Sequence, residues 1–313
     1  MNLYKEIEDL NDILIINAEP GLQDRLDKLQ IQFQELSQLI FSQLSEYEIT
    51  QLSRHMKRPT TDDIIQAICE DFIEIHGDGY FGDDPAMMAG LAMIGNERCV
   101  VIGNQKGRNT KENIYRNFGM SKPEGYRKAL KVMKLADQFA LPIVCFVDTP
   151  GAYPGIEAEE RGQALAIATS IYEMFEIKAP ILVFIIGEGG SGGALAIGVG
   201  DRVYMLEYST YSVISPEGCA SILWKDASRA NQAATALQLI SQKINQLETV
   251  IDGIIPETIP FHWQPDKTYT KIKNKILEDF KTLNKLEKNE LLKQRHERFR
   301  KIGLPVGKRE VNS

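Results

Sequence analysis

The apolar positions of the chain fall into three patterns. Over 21–54, polar sequence carries Leu22, Leu26, Leu29, Phe33, Leu36 and Ile40 at alternating steps of four and three. That is the spacing of one helical stripe. The run is too short for a free coiled coil, so a docking helix or a helical hairpin is predicted. The stripe serves either a subunit interface or local packing. Over about 60–257 the pattern alternates between helix and strand. A helix is predicted over 62–75, with Thr60 or Thr61 as N-cap. Strands are predicted over 91–94 and 98–103, joined by a turn at Gly95-Asn96. A helix over 123–140 leads into 142–147, which is apolar throughout, as a strand covered on both faces should be. A helix over 157–177 leads into a second such strand, 181–186. From about Pro260 the chain reads as helix, and Lys and Arg alternate with Glu and Asp over 271–301. A solvated helix face is the expectation there.

Two segments repeat. Pro142-Ile143-x-x-Phe146 and Pro180-Ile181-x-x-Phe184 each follow a helix, run into a glycine-rich loop and lead into another helix. Parallel strands gather their ligand crevices at their carboxyl ends, so the two loops are predicted to lie together. The pattern describes an α/β core over 59–257, a helical arm over 1–58 and a helical tail over 258–313.

Composition narrows the function. The 313 residues suffice for one large domain or two ordinary ones. With 43% apolar and 25% charged residues, the chain is neither collagen-like, disordered nor purely coiled coil. Lys and Arg total 36 against 43 Asp and Glu, a net charge of −7. That balance argues against nucleic acid as a partner. Cys69, Cys99, Cys145 and Cys219 lack C-x-x-C spacing, so neither a zinc ribbon nor a thioredoxin-like motif is encoded, and no metal is expected. They read as small buried hydrophobes in a reducing compartment. The acidic N-terminus does not resemble a signal peptide. The apolar runs fall far short of the roughly 20 residues of a membrane-spanning helix. A soluble, non-secreted chain with no membrane partner is expected.

The two loops carry the candidate chemistry. In the first, 148–155, Asp148-Thr149-Pro150-Gly151 matches the D-x-x-G of GTPases. No G-x-x-x-x-G-K-[ST] accompanies it, so the phosphate cradle is missing. What remains is a stiff loop turned by Pro150, Gly151, Pro154 and Gly155, suited to holding a ligand against main chain. The second loop, 187–194 (GEGGSGGA), fits three motifs. As G-x-G-x-x-G it uses Gly187, Gly189 and Gly192, with Glu207 where a ribose-binding acid belongs. The segment 194–200, broken by Gly198 and Gly200, is too short for the crossover helix a dinucleotide site needs. As G-x-S-x-G it makes Ser191 a nucleophile. The later histidines, His262 and His296, lack the setting of a triad base. As an oxyanion cradle it offers main-chain N–H groups, unshielded by a Cβ, to a developing negative charge. That reading suits a middle zone whose sole histidine is His76. Tight packing of helix on strand is a compatible use of the same glycines, above all Gly192 and Gly193.

These stretches together resemble a known family. GNQKGRNTKENIYRNFGMSKPEGYRKALKVMKLADQFALPIVCFVDTPGAYPG (103–155), AEERG (158–162), GEGGSGGALAIGVGDRVYML (187–206) and YSTYSVISPEGCASILW (208–224) look like the α subunit of acetyl-CoA carboxylase carboxyltransferase of the bacterial and plastid type. The likeness is dense over about 58–257. It implies a crotonase-like fold, the ClpP/crotonase class of repeated ββα units. It implies a β subunit as partner in an α2β2 assembly, with biotin carboxylase and the biotin carboxyl carrier protein as further partners. The implied cofactor is biotin, as carboxybiotin on the carrier; its carboxyl group passes to acetyl-CoA to give malonyl-CoA, the committed step of fatty-acid synthesis. In the family the β subunit bears the zinc ribbon and the thioester cradle. Decarboxylated biotin can itself remove the α-proton of acetyl-CoA, so no protein base is required.

On this resemblance Gly189 and Gly190 are the catalytic candidates, their amides facing the ureido oxygen. Gly151, Tyr153, Pro154 and Gly155, with Gly192 and Gly193, are the candidates around biotin. Lys106, Arg108, Lys111 and Arg116 form a basic cluster that either contacts CoA phosphates or the acidic carrier, or is a solvated loop. Ser215 is expected to cap a helix that has Pro216 at its first position. The implied location is the cytoplasm, or the plastid stroma for a plastid chain. The competing reading is a single-chain crotonase-fold hydrolase or lyase using Ser191 or an acyl-CoA oxyanion hole; a third is a non-catalytic scaffold.

Overall fold

The structure, a computed structural model, describes residues 2–16, 20–257 and 259–304. An arm of helices opens it. Helices α1 (Asn2–Ile16) and α2 (Pro20–Phe41) form a hairpin in which Leu22, Leu26, Leu29 and Phe33 meet Leu3, Ile7, Leu10 and Leu14. The stripe thus serves local packing over these positions, while Leu36 and Ile40 stay exposed. Helix α3 (Glu46–Ser53) is started by Ser45, whose N–H donates to Glu48 at 2.8 Å. Helix α4 (Thr61–Ile68) starts at Thr60, whose N–H donates to Asp63 at 2.8 Å. The helix predicted over 62–75 ends at Ile68, and strand β1 (Asp71–Glu74) follows. The reason is tertiary: Phe72 and Ile73 pair with Ala92 and Leu91 of the next strand, and strand pairing outweighs the local helical period.

That strand, β2 (Met87–Ile94), begins four residues earlier than predicted and turns through Gly95-Asn96 into β3 (Glu97–Asn104). Gly95 takes the left-handed φ of 61° that such a turn needs. Next come α5 (Thr110–Tyr115), α6 (Pro123–Gln138) and β4 (Ile143–Thr149). The helix predicted over 157–177 is two helices, α7 (Ile156–Glu160) and α8 (Gln163–Glu176), broken at Gly162 with φ 81°. Then follow β5 (Ile181–Gly190), α9 (Ser191–Leu195), β6 (Arg202–Leu206), β7 (Thr210–Ser212) and α10 (Pro216–Trp224). Ser215 caps α10, accepting from the Gly218 N–H at 3.1 Å. The chain continues through α11 (Ala230–Leu237), α12 (Ser241–Asn245), β8 (Gly253–Ile255), α13 (Pro265–Leu283) and α14 (Lys288–Arg300).

The strands form one sheet in the order β1-β2-β3-β4-β5-β6-β8, with β7 beside the end of β5. β1 to β3 are antiparallel, and the pairs from β3 onward are parallel. Alternation along the apolar strands fills two cores. Ile143, Cys145, Val147, Ile181, Val183 and Ile185 face Tyr126, Met133 and Met174 of α6 and α8. Val144, Phe146, Leu182 and Phe184 face Ile64 and Ile68 of α4 and Ile272, Ile276 and Phe280 of α13. The tail is therefore not only a solvated face: α13 covers the sheet, with all of its charges but the buried Asp279 toward the outer side. Arg295 of α14 is buried too, bonding Asp201 and the carbonyls of Met174, Ile177 and Ala179.

Candidate active site

β4 and β5 run in register from Ile143↔Ile181 to Val147↔Ile185; the next pair is Thr149↔Gly189. At this break, side chains replace the ladder. The Ile186 carbonyl accepts from Arg58 Nε at 2.6 Å, and the Glu188 N–H donates to Asp148 Oδ1 at 3.0 Å. Arg58 is buried and paired with Glu257 at 2.7 Å. Gly187 has no side chain because the Asp148 carboxylate lies 2.3 Å from where its Cβ would stand.

Beyond the break the two strand ends meet, as the repeat predicts. A Cβ on Gly190 would stand 2.1 Å from the Pro150 carbonyl oxygen, and one on Gly193 would stand 2.5 Å from the Gly151 carbonyl carbon. Main chain faces main chain. A Cβ on Gly192 would meet only Ile167, at 3.6 Å and beyond. The second loop is nevertheless not a loop as far as Gly190. Gly189 and Gly190 lie in β5, paired with Tyr211 and Ser212 of β7. The chain turns at Ser191, whose φ is 52°, and α9 is only five residues long. No dinucleotide crossover helix follows, and Glu207 accepts from the Glu257 N–H at 2.8 Å.

The first loop is held in place. Gln163 Nε2 donates to the Tyr153 carbonyl at 2.9 Å, and Lys122 Nζ lies 4.7 Å from the Tyr153 ring centre. Gly155 leaves room for the Tyr153 ring, which comes to 2.3 Å from where its Cβ would stand. The hydrogen bond to Glu157 raises the Tyr153 hydroxyl pKa, and the Glu157 carboxyl is lowered first by its own backbone N–H and then by Tyr153. Pro154 lies between these two wall residues.

The basic cluster does not assemble. Lys106 lies inside, its Nζ 2.7 Å from Asp148 and 2.8 Å from Glu188. Arg108 pairs with Asp62 and Asp63 of α4. Arg116 donates to the Pro85 carbonyl at 2.8 Å. Lys111 is exposed on α5. Nor does Ser191 find a base. His55 stacks on His262, His76 bonds Asp83 and His296 packs on Phe175. Ser191 has the strained turn of a nucleophile elbow and no histidine beside it, which removes the support for the hydrolase reading.

Sequence reasoning missed Asp148 and Glu188 as a linked pair with Arg54 beside Glu188, and Arg58 under the Ile186 carbonyl. A signal was present. A carboxylate at the end of a buried apolar strand, and another inside a glycine run, both need a cation. Among the described residues, no group of three or more His, Cys, Asp or Glu could hold a metal, and no helix is long and apolar enough to cross a membrane.

Residues 1–303 match the family model described as acetyl co-enzyme A carboxylase carboxyltransferase-like. The acetyl-coenzyme A carboxylase carboxyl transferase subunit alpha of Methylococcus capsulatus is 50% identical over 303 residues, 96% of this chain and 94% of the relative. That of Edwardsiella ictaluri is 51% identical over 284 residues, 90% of this chain and 89% of the relative. Two solved structures are similar in fold. Transcarboxylase 12S has a TM-score of 0.60 at 19% identity over 76% of this chain, which spans 45% of that chain. A Pseudomonas malonate decarboxylase hetero-tetramer in complex with coenzyme A has a TM-score of 0.58 at 14% identity, over 77% of this chain and 92% of that one. The fold is crotonase-like, and the chain is an enzyme subunit. With half its residues shared along nearly its whole length with proteins of one name, it belongs to the family of acetyl-CoA carboxylase carboxyltransferase α subunits.

Proposed function

We propose that this chain supplies the biotin-receiving half of a divided carboxyltransferase site. The observation that carries the reading is the meeting of the β4 and β5 ends, where Gly190 lies against the Pro150 carbonyl without a side chain between them. A strand end stripped of side chains can bring N–H groups up to a ligand oxygen. Gly189 and Gly190 would offer amides to the ureido oxygen of biotin. Gly151, Tyr153, Pro154 and Gly155 would form the opposite wall, and Gly192 and Gly193 would carry the turn between them. Neutral donors and small residues fit a neutral bicyclic ring, and the nearby charges are paired among themselves. Biotin, held on a carrier protein and carboxylated there by biotin carboxylase, supplies the transferable carboxyl group.

The other half belongs to a β subunit in an α2β2 assembly, which would bind acetyl-CoA and yield malonyl-CoA. Support comes from exposed apolar residues on the elements next to the site. Ile156, Leu165 and Val213 are 78%, 71% and 75% exposed, and Leu195 joins them. Such a surface calls for a covering protein. The cytoplasm is the compartment this reading implies, in line with bacterial relatives. The variants Gly190→Val and Gly189→Ala, assembled with a β subunit, test the site through malonyl-CoA-dependent carboxylation of biotin. Gly190→Val should lower the rate about 100-fold with the complex intact by sedimentation. Gly189→Ala should lower it less, since its Cβ meets side chains first, the Tyr211 ring at 2.8 Å, and main chain only at 3.2 Å. A full rate from an assembled Gly190→Val complex would contradict the assignment.

A further inference from the structure

Lys106 follows the end of β3 and reaches the break in register between β4 and β5. Its Nζ lies 2.7 Å from Asp148 Oδ1 on β4 and 2.8 Å from Glu188 Oε2 on β5. The same Asp148 oxygen accepts the Glu188 N–H at 3.0 Å. The next residues along each strand are those that build the cleft, Thr149–Gly151 on one side and Gly189–Gly190 on the other. The other charged groups facing this point are few. Arg54, at the end of α3, lies 3.4 Å from Glu188 and 3.2 Å from Glu217 of α10. Tyr47 of α3 donates to Glu217 at 3.2 Å. The lysine stem is covered by Gly119, where a Cβ would stand 3.0 Å from Lys106 Cγ. The network thus holds two cations and three carboxylates.

We propose that Lys106 is a positioning residue for carboxyl transfer: an ionic bracket that fixes the ends of β4 and β5 at the separation the cleft requires. The inference rests on the carboxyltransferase reading above. It replaces the expectation that Lys106 meets CoA phosphate, because its ammonium is already shared between two carboxylates. Burial works against the lysine charge, but Asp148 and Glu188 outweigh it and raise its pKa. Burial likewise works against the Glu188 charge, and Lys106 with Arg54 lowers its pKa overall. Lys106 and Glu188 therefore both carry their charges at neutral pH.

Removing the ammonium leaves Asp148 and Glu188 facing each other with only Arg54 nearby. One of them then takes a proton from solvent, as paired carboxylates do. The strand ends are held only while that proton stays. The test is the α–β complex carrying Lys106→Met, with malonyl-CoA-dependent biotin carboxylation measured from about pH 6 to about pH 8.5 against the unmodified complex. At the alkaline end kcat should fall about 100-fold, with KM for malonyl-CoA little changed. The deficit should shrink steadily as pH is lowered. The double variant Lys106→Met/Glu188→Gln restores the original net charge and gives Asp148 an amide donor. It should recover most of kcat with no pH trend in the ratio, and it serves as well if the single variant does not assemble.

A deficit equal at every pH, or a double variant as poor as the single one, would reduce Lys106 to a general structural role and overturn the proposal. A raised KM with unchanged kcat would make it a ligand contact instead. An unmodified complex without activity would overturn the carboxyltransferase reading and the bracket with it. An active complex indifferent to Lys106→Met overturns the bracket alone.

Discussion

Glycine serves different ends within the run 187–193. At 187 the space for a Cβ is taken by the Asp148 carboxylate, at 190 by the Pro150 carbonyl and at 193 by the main chain of Gly151 and Ala152. Gly192 has ordinary room. Gly193→Ala should therefore lower stability by about 2 kcal/mol, because rigid main chain must move. Gly192→Ala should change it by less than about 1 kcal/mol. Urea unfolding of the two variants checks this, and equal stabilities would contradict the contact argument. The glycine richness was legible in the sequence, but the reason for each glycine was not. The atoms that exclude the side chains come from 148–152, some forty positions away, and only the break in register brings them there. The basic residues teach the same lesson. Lys106, Arg108 and Arg116 are close along the chain, yet each points to a different acceptor.

The elements were read best where burial is complete on both faces. β4 is apolar over 143–147 and β5 over 181–186, and their repeat pointed to the adjacency of the two strand ends. β1 was misread because its helical period is overruled by pairing with β2. The tail was read by its charges, although Ile272, Ile276 and Phe280 already mark a buried stripe. Arg295 gives no sequence signal of burial, since its acceptors lie on α8, the segment after it and Asp201. The connection between β1 and β2 shows how one residue can shape an element. Asp78 accepts the N–H groups of Tyr80, Phe81 and Gly82 and pairs with Arg127 at 2.7 Å. Burial alone would raise its pKa, but these donors bring it down from 3.8 to about 2. A lowered carboxyl pKa stabilises the fold above the unfolded value and ceases to do so as pH falls through the folded one. The contribution should be about 2 kcal/mol, present above 3.8 and lost as pH falls through about 2. The stability gap between the unmodified chain and Asp78→Asn should close over that window. A constant gap would show that the charge is not what matters.

At the scale of the whole molecule, the chain is a sheet covered on both faces with its candidate chemistry at one end. The candidate site lies where β4 and β5 finish, and the elements that build it carry exposed apolar residues. That arrangement explains why an acidic protein without a catalytic histidine at its cleft can still be half of an enzyme. On the proposed function, main-chain amides would act on one substrate, and a second subunit would bring the other. The family was legible through the resemblance of the glycine-rich stretches, whereas the ions that support them were not. The central claim is that the site is divided, and one measurement tests it most directly: malonyl-CoA-dependent carboxylation of biotin by this chain alone, by a β subunit alone, and by the two mixed. The account predicts turnover only in the mixture, rising with complex formation to a plateau at equal amounts of the two chains. Turnover by this chain alone, or none in a verified complex, would contradict it.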